Sequence, residues 1–286
     1  MAYVDFISPL HTSTKRDYLA RVNDPEYPKA KAAELALKWD VEYWDGDRRT
    51  GFGGMKYDGR WRKVADLMAQ HYGLKAGDKV LDIGCGKGFL LYDLTQAVPG
   101  LEVTGLEFSR YAIEHALPEI KGSLVEGHAN QLPFENSSFD LVYSISVIEH
   151  IPEHGDTQAL AEFARVTKPG GTVIVEVPYR RQRQEISHQY DSKGTPLATP
   201  RFYERYYDKQ WLESRLQAPG LTRVQSWILG EWLPVDPWIA TQRLPRPLRL
   251  LILPFEPLLA MVNYWMRPDD KTGRPLAALI VFRRTN

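Results

Sequence analysis

Three glycines at alternate positions, Gly84, Gly86 and Gly88, follow the apolar run Val80-Leu81-Asp82-Ile83 and precede a stretch with helical spacing. A buried strand that passes through small residues into a helix can bring its backbone close to a ligand. The start of the helix then offers free N–H groups to an anion. Glu107 ends the next strand pattern, residues 101–107, just before Phe108 and Ser109. An acidic side chain at that place can accept hydrogen bonds from both hydroxyls of a ribose. Two rival phosphate-binding patterns fail on their residues. A dinucleotide fingerprint needs a third glycine where Phe89 stands, and a P-loop needs a glycine at Leu81 and Ser or Thr at Gly88.

A second group lies downstream. His150 and Glu149 sit just past the fourth strand pattern, at the carboxyl edge where such sheets bind ligands. His150 suits a general base or a group that positions an acceptor, and it suits equally a structural turn residue; both readings stay open. His154 and His188 are weaker candidates. Upstream, residues 43–61 hold five glycines among aromatic and basic residues. A long Gly-rich loop in a compact domain is usually functional or disordered; a lid is the first reading here and a surface loop held by aromatic packing the second. Tyr57, Arg60 and Trp61 are its candidate ligand-facing residues, with Arg60 able to pair with a carboxylate.

The elements that must position these groups are legible from Lys79 onward. Strand patterns at 79–84, 101–107, 123–127, 139–146 and 172–178 alternate with helix patterns at 62–72, 88–97, 109–117 and 156–167. That alternation predicts an α/β fold with a doubly wound, mostly parallel sheet. Ala30 to Trp39 reads as a helix, as does Asp208 to Leu216, and residues 222–231 and 276–284 read as strands. The segment 179–206 is rich in Arg and Tyr and reads as an insertion or lid; Arg180, Arg181, Arg183, Arg201 and Arg205 could clamp an anionic acceptor. Residues 234–268 are rich in proline, and within them 238–266 mix apolar bulk with Arg243, Arg246 and Arg249. Packing is the first reading for that stretch and contact with an anionic bilayer the second.

Composition narrows the classes. The 286 residues carry 36 basic and 36 acidic side chains, which argues against a generic nucleic-acid binder. One cysteine, Cys85, excludes an intramolecular disulfide and a Cys-rich zinc site, and no metal is expected. The first residues lack a basic segment followed by a long apolar run, so a secretory signal is not expected. The compartment expected is the cytoplasm, with membrane-peripheral placement through 238–266 as the variant.

The glycine motif resembles the first motif of class I S-adenosylmethionine-dependent methyltransferases, and the resemblance continues for about 100 residues. Gly127-His128-Ala129-Asn130-Gln131-Leu132-Pro133-Phe134 resembles the family's G-D-A-x-x-L-P-F segment. Phe139-Asp140-Leu141-Val142, then Val147-Ile148-Glu149-His150-Ile151, resembles its fourth strand and following turn. Glu162 to Gly171 resembles the segment before its fifth strand. The nearest subgroup is the small-molecule type that includes ubiquinone and menaquinone methyltransferases. The resemblance implies a Rossmann-like, seven-stranded sheet. It gives an N-terminal helical lid over residues 1–61 and a methyltransferase domain over 62–286, with insertions at 179–206 and 234–268.

It also implies roles. Asp82, Gly84 and Cys85 would lie near the methionine part of the cofactor, Gly86 and Gly88 would permit close approach, and Glu107 would hold the ribose. Phe108 and Ser109 would flank the adenine, with Ala129 and Asn130 along its edge. Ser144 would end the fourth strand near the sulfonium. His128 replaces the Asp that usually bonds the adenine amino group. In related enzymes the N-terminal segment folds over the cofactor, which would bring Tyr57 and Arg60 there. The implied reaction is methyl transfer from S-adenosylmethionine, leaving S-adenosylhomocysteine, to a small molecule that is anionic or lipid-linked. Alternatives are a non-catalytic scaffold or sensor that binds the cofactor, a membrane-peripheral lipid or quinone methyltransferase, and methylation of RNA or protein. The nucleic-acid branch is disfavoured because Ser144-Ile145-Ser146-Val147 stands where an Asn-or-Asp-Pro-Pro-Tyr motif would be expected. The oligomeric state is not legible.

Overall fold

The structure, a computed structural model, describes residues 29–191, 195–231 and 273–285. Two short helices come first, α1 (Lys29–Ala36) and α2 (Val41–Trp44), followed by α3 (Arg62–Tyr72). The alternating part runs β1 (Lys79–Ile83), α4 (Phe89–Ala97), β2 (Glu102–Glu107), α5 (Arg110–Glu114), α6 (Pro118–Lys121), β3 (Leu124–Glu126) and β4 (Phe139–Ile145). A 3₁₀ turn (Ile148–His150), α7 (Gly155–Val166) and β5 (Thr167–Pro178) complete it. Then come β6 (Gln184–Tyr190), β7 (Pro196–Tyr206), α8 (Lys209–Ser214), β8 (Leu221–Glu231) and β9 (Arg274–Arg284).

Seven strands form one sheet in the order β3-β2-β1-β4-β5-β9-β8. The first five are mutually parallel, and β9 runs antiparallel to both β5 and β8. This is the mostly parallel α/β sheet that the alternation predicted, with the seven strands and Rossmann-like order that the resemblance implied. Period-two side chains split the core between the two faces. Leu81, Ile83, Val142, Val173 and Val175 pack on one side with Leu160 and Phe163 of α7. Val80, Leu141, Tyr143 and Ile174 pack on the other with Val64, Ala65 and Met68 of α3. Helix α3 stops at Gly73, whose φ of +65° closes it in the left-handed conformation that a side chain resists.

Several elements differ from expectation, each for a local reason. The helix expected over 109–117 ends at Glu114, and a second short one starts at Pro118, before which Leu117 takes an extended conformation. The helix expected to reach Trp39 ends at Ala36, and Trp39 itself has φ +51°. The segment 179–206 is a two-stranded antiparallel hairpin, β6 with β7, outside the main sheet. Residues 1–28 of the N-terminal segment and all of 234–268 lie outside the described residues, so the membrane-contact reading of 238–266 does too.

Candidate active site

The sheet's order reverses around β1, whose neighbours are β2 and β4. Crossovers leave in opposite directions there and open a crevice at the carboxyl ends of the strands. A cavity of about 710 Å³ occupies it, within the range of small-molecule sites. Asp82, Gly84, Cys85, Gly86, Glu107, Phe108, His128, Ala129 and Asn130 line it. So do Arg60 of the N-terminal segment and His150 beyond β4.

The glycine loop holds its shape through backbone freedom. Gly84, Gly86 and Gly88 all have positive φ. A Cβ on Gly84 would stand 2.2 Å from Val147 Cγ2, and one on Gly86 would stand 3.0 Å from the Trp44 ring. Glu107 organises the loop from beneath: its carboxylate accepts hydrogen bonds from Gly86 N and Ser109 N, both at 2.8 Å. Burial raises the pKa of Glu107, and these amide donors oppose the rise. Burial pushes Asp82 up to about 8; Tyr143 beside it lowers it and Glu107 raises it. Burial also raises the Cys85 thiol, with Asp82 and Glu107 adding to the rise.

Residues 39–61 form the roof. Trp44 lies over Gly86, and its Nε1 donates to Ser109 Oγ at 2.9 Å. Asp45 accepts from the buried Lys87 ammonium at 2.7 Å and from the Tyr111 hydroxyl at 2.9 Å. Burial alone would raise Asp45, but Lys87 and Tyr111 outweigh it and hold the carboxyl low. The latch therefore contributes stability above the ordinary carboxylate pKa and loses it as the pH falls through the lower folded value. Asp45→Asn should cost about 2 kcal/mol in denaturant unfolding, the scale of a hydrogen bond to a charged group; unchanged stability would mean that the latch does not form in solution.

Five sequence-predicted residues do not line the cavity, and three of them have another task. Gly88 caps α4 at φ +71°, with its would-be Cβ against Ile120. Ser109 caps α5 and ties down Trp44. Ser144 is fully buried in β4. The Tyr57 hydroxyl donates to Asp93 at 2.7 Å, which raises the tyrosine's pKa to about 12 and pins the roof to α4. Glu149 is 1% exposed and turned into the protein. Arg60 lines the cavity while its guanidinium pairs with Asp58 at 2.6 Å.

Sequence reasoning missed the aromatic end. Trp39, Tyr43, Trp44 and Phe52 line the cavity, and Trp39 meets the His150 ring edge-on at 5.5 Å. The density of aromatics in 39–52 was the available signal. The hairpin arginines are not among the lining residues. Arg205 is fully buried and pairs with Asp156 and Glu185, Arg180 stacks on Tyr206, and Arg181 and Arg183 bond Gly273 and Gln210. His188 lies on β6. Among the described residues, no helix is long and apolar enough to cross a membrane.

Comparison with known proteins agrees with this geometry. A family profile described as a methyltransferase domain matches residues 81–175. The demethylmenaquinone methyltransferase of Shouchella clausii is 31% identical over 176 residues, covering 58% of this chain and 73% of that one. The enzyme of the same name from Staphylococcus aureus strain JH9 is 38% identical over 171 residues, covering 56% and 68%. Among solved structures, the cyclase SpnF aligns with a TM-score of 0.53 at 16% identity, covering 90% of this chain and 97% of that one. The PH0226 protein of Pyrococcus horikoshii gives 0.51 at 18%, covering 86% and 96%. These two show the fold alone, and a cyclase among them illustrates why fold does not name a reaction. The sequence relatives are named as enzymes, so the non-catalytic reading is not favoured. This chain belongs to the methyltransferase-domain family and is an S-adenosylmethionine-dependent methyltransferase that acts on small molecules.

Proposed function

We propose that the acceptor is a hydroxylated ring compound of the quinol class, methylated at a ring carbon beside its hydroxyl. The observation that carries this reading is one cavity that joins the glycine loop and Glu107 to an end walled by Trp39 and Tyr43 and carrying His150. Flat apolar walls suit a ring, and the names of the sequence relatives point to the same class. The clustered arginines of the hairpin, the sequence's own signal for an anionic acceptor, face other partners.

The residues present fit S-adenosylmethionine. Gly84 and Gly86 leave room for close approach, the Glu107 carboxylate is placed to accept from ribose hydroxyls, and Phe108 and His128, 4.9 Å apart, offer faces for the adenine. Asp82, Cys85, Ala129 and Asn130 complete the wall, and Arg60 stands at the rim. When bound, the cofactor supplies an electrophilic methyl on a positively charged sulfur. The protein's part is alignment, exclusion of water by the roof, and proton handling. His150 takes the proton that the ring carbon must shed after the new bond has formed.

Titration with S-adenosylhomocysteine in a calorimeter tests the cofactor site. Methyl transfer to a short-chain demethylmenaquinol tests the acceptor. His150→Ala should lower turnover about 10²-fold with cofactor affinity unchanged, the usual scale for one acid–base group; unaltered turnover would make His150 a structural residue.

A further inference from the structure

The floor of the cavity beside His150 carries a polar pair that the reading above leaves unused. Ser146, at the exit of β4, lines the cavity and is exposed to it. Its hydroxyl donates to Glu176 Oε2 at 2.7 Å, and its backbone N donates to Glu176 O at 3.2 Å. A serine hydroxyl has one proton and two lone pairs. With the proton committed to Glu176, Ser146 offers the cavity a lone pair, so a ligand atom meeting it must be a donor.

We propose that Ser146 and Glu176 form a proton-accepting pair: the Ser146 hydroxyl accepts the hydrogen of the acceptor's O–H and passes its own proton to Glu176. This rests on the quinol reading above. The protons then divide between two groups. The acceptor's hydroxyl proton moves to Ser146 Oγ as the serine proton moves to the Glu176 carboxylate. The electron pair released on the acceptor oxygen feeds the ring carbon, which forms the bond to the methyl group while the methyl–sulfur bonding pair stays on sulfur. His150 later takes the ring-carbon proton. Ser146 is the residue that touches the acceptor, and Glu176 is a positioning residue acting through it.

Three observations support the pair. Glu176 sits in the core strand run Val173-Ile174-Val175-Glu176-Val177 and is 4% exposed, where a carboxylate serves no solubility purpose. A second buried carboxyl, Glu149, is near enough for the two to act on each other electrostatically, and two carboxyls in a low-dielectric site resist ionising together. Burial, and after it the neighbouring Glu176, push the Glu149 pKa well up, so in the proposed pair Glu149 is the carboxyl that holds a proton and Glu176 the one that receives Ser146. His150 Nε2 is 3.9 Å from Glu149 Oε1, and Glu204 and Arg205 of β7 also act on Glu149, the first raising its pKa and the second lowering it. Finally, Ser146 has φ +53°. A non-glycine residue there costs on the order of 1 kcal/mol that glycine would avoid, which fits a position where the hydroxyl is needed.

The test measures kcat and KM from pH 6 to 9 with S-adenosylmethionine and a short-chain demethylmenaquinol, for wild type, Ser146→Ala, Ser146→Gly and Glu176→Gln. All three variants should lose about 10²-fold in kcat, keep KM and S-adenosylhomocysteine affinity, and flatten the acid limb of the profile. Ser146→Gly is decisive among them, since it relieves the backbone while removing the hydroxyl; wild-type turnover in it would overturn the pair. An infrared measurement on the full chain without acceptor decides independently of turnover. Glu149→Gln should remove a protonated-carboxyl band at neutral pH and Glu176→Gln should not. The reverse would show Glu176 protonated and overturn the proposal. If the wild type fails to methylate the probe, the quinol reading falls and the infrared result alone decides the proton assignment. Failure to bind S-adenosylhomocysteine would instead indict the cofactor site.

Discussion

Glu107→Ala should weaken S-adenosylhomocysteine binding at least about 10²-fold in a calorimetric titration. The carboxylate accepts two backbone hydrogen bonds, from the glycine loop at Gly86 and from the start of α5 at Ser109. Losing these bonds, each worth about 1.5–3 kcal/mol to the fold, leaves the glycine loop without its anchor, and the ribose loses its charged acceptor; together they are expected to reach the roughly 2.8 kcal/mol of a hundredfold change. The loss therefore falls on the shape of the cavity as well as on the ribose contact. His128→Ala should cost only about tenfold, since His128 offers a ring face beside Phe108. Equal losses in the two variants would refute the ribose assignment. Because burial raises the Glu107 pKa, cofactor affinity should also fall as the pH drops through that raised value and the carboxylate gains a proton.

The largest loss of stability is expected at Asp156→Ala, about 3–5 kcal/mol by thermal or denaturant unfolding. Asp156 is fully buried, and its carboxylate meets Arg215 at 2.7 Å, Arg205 at 3.2 Å and the Tyr207 hydroxyl at 2.7 Å. Removing one member of a buried charge cluster leaves the others desolvated and unpaired, which is where that magnitude comes from. Arg205 also donates to the carbonyls of Ile151 and Glu153, so the cluster fastens the β6–β7 hairpin to the loop just beyond His150. Burial would raise the Asp156 pKa, but the bonds from Arg215 and Tyr207 and the charge of Arg205 outweigh it and hold it low. The cluster's contribution is thus complete above the unfolded carboxylate value of about 3.9 and is lost as the pH falls through the lower folded value. A loss under about 1 kcal/mol would mean that the cluster does not bind the hairpin.

The parts legible in the sequence share a cause: their chemistry is local. The Val80-to-Gly88 stretch encodes strand, turn and helix start within nine residues, and the positive φ values of its glycines are requirements that other residues meet poorly. Glu107 follows from the period of the next strand. Asp156, Arg205 and Arg215 were not legible, because their pairing spans about fifty residues and a charged run on an inserted segment reads as a surface. The same holds for Asp45, whose partners Lys87 and Tyr111 lie 42 and 66 residues away. Serine is common in turns, so Ser146 announced nothing. Glu176 did carry a signal, a lone acid within an apolar strand, whose meaning depends on Glu149 from another element.

The place of β9 has a consequence for how the chain is made. It follows β8 in sequence but lies between β5 and β8 in the sheet. During synthesis, which delivers the N-terminal part first, the five parallel strands β1 to β5 can assemble and close the cofactor crevice early. Among the described strands, β8 emerges with no neighbour to pair with, while the outer edge of β5 waits for its partner. Both wait for residues 274–284, and until then the nascent chain offers two unsatisfied backbone edges to other strands. The last of the described strands to leave the ribosome is the one that seals the sheet.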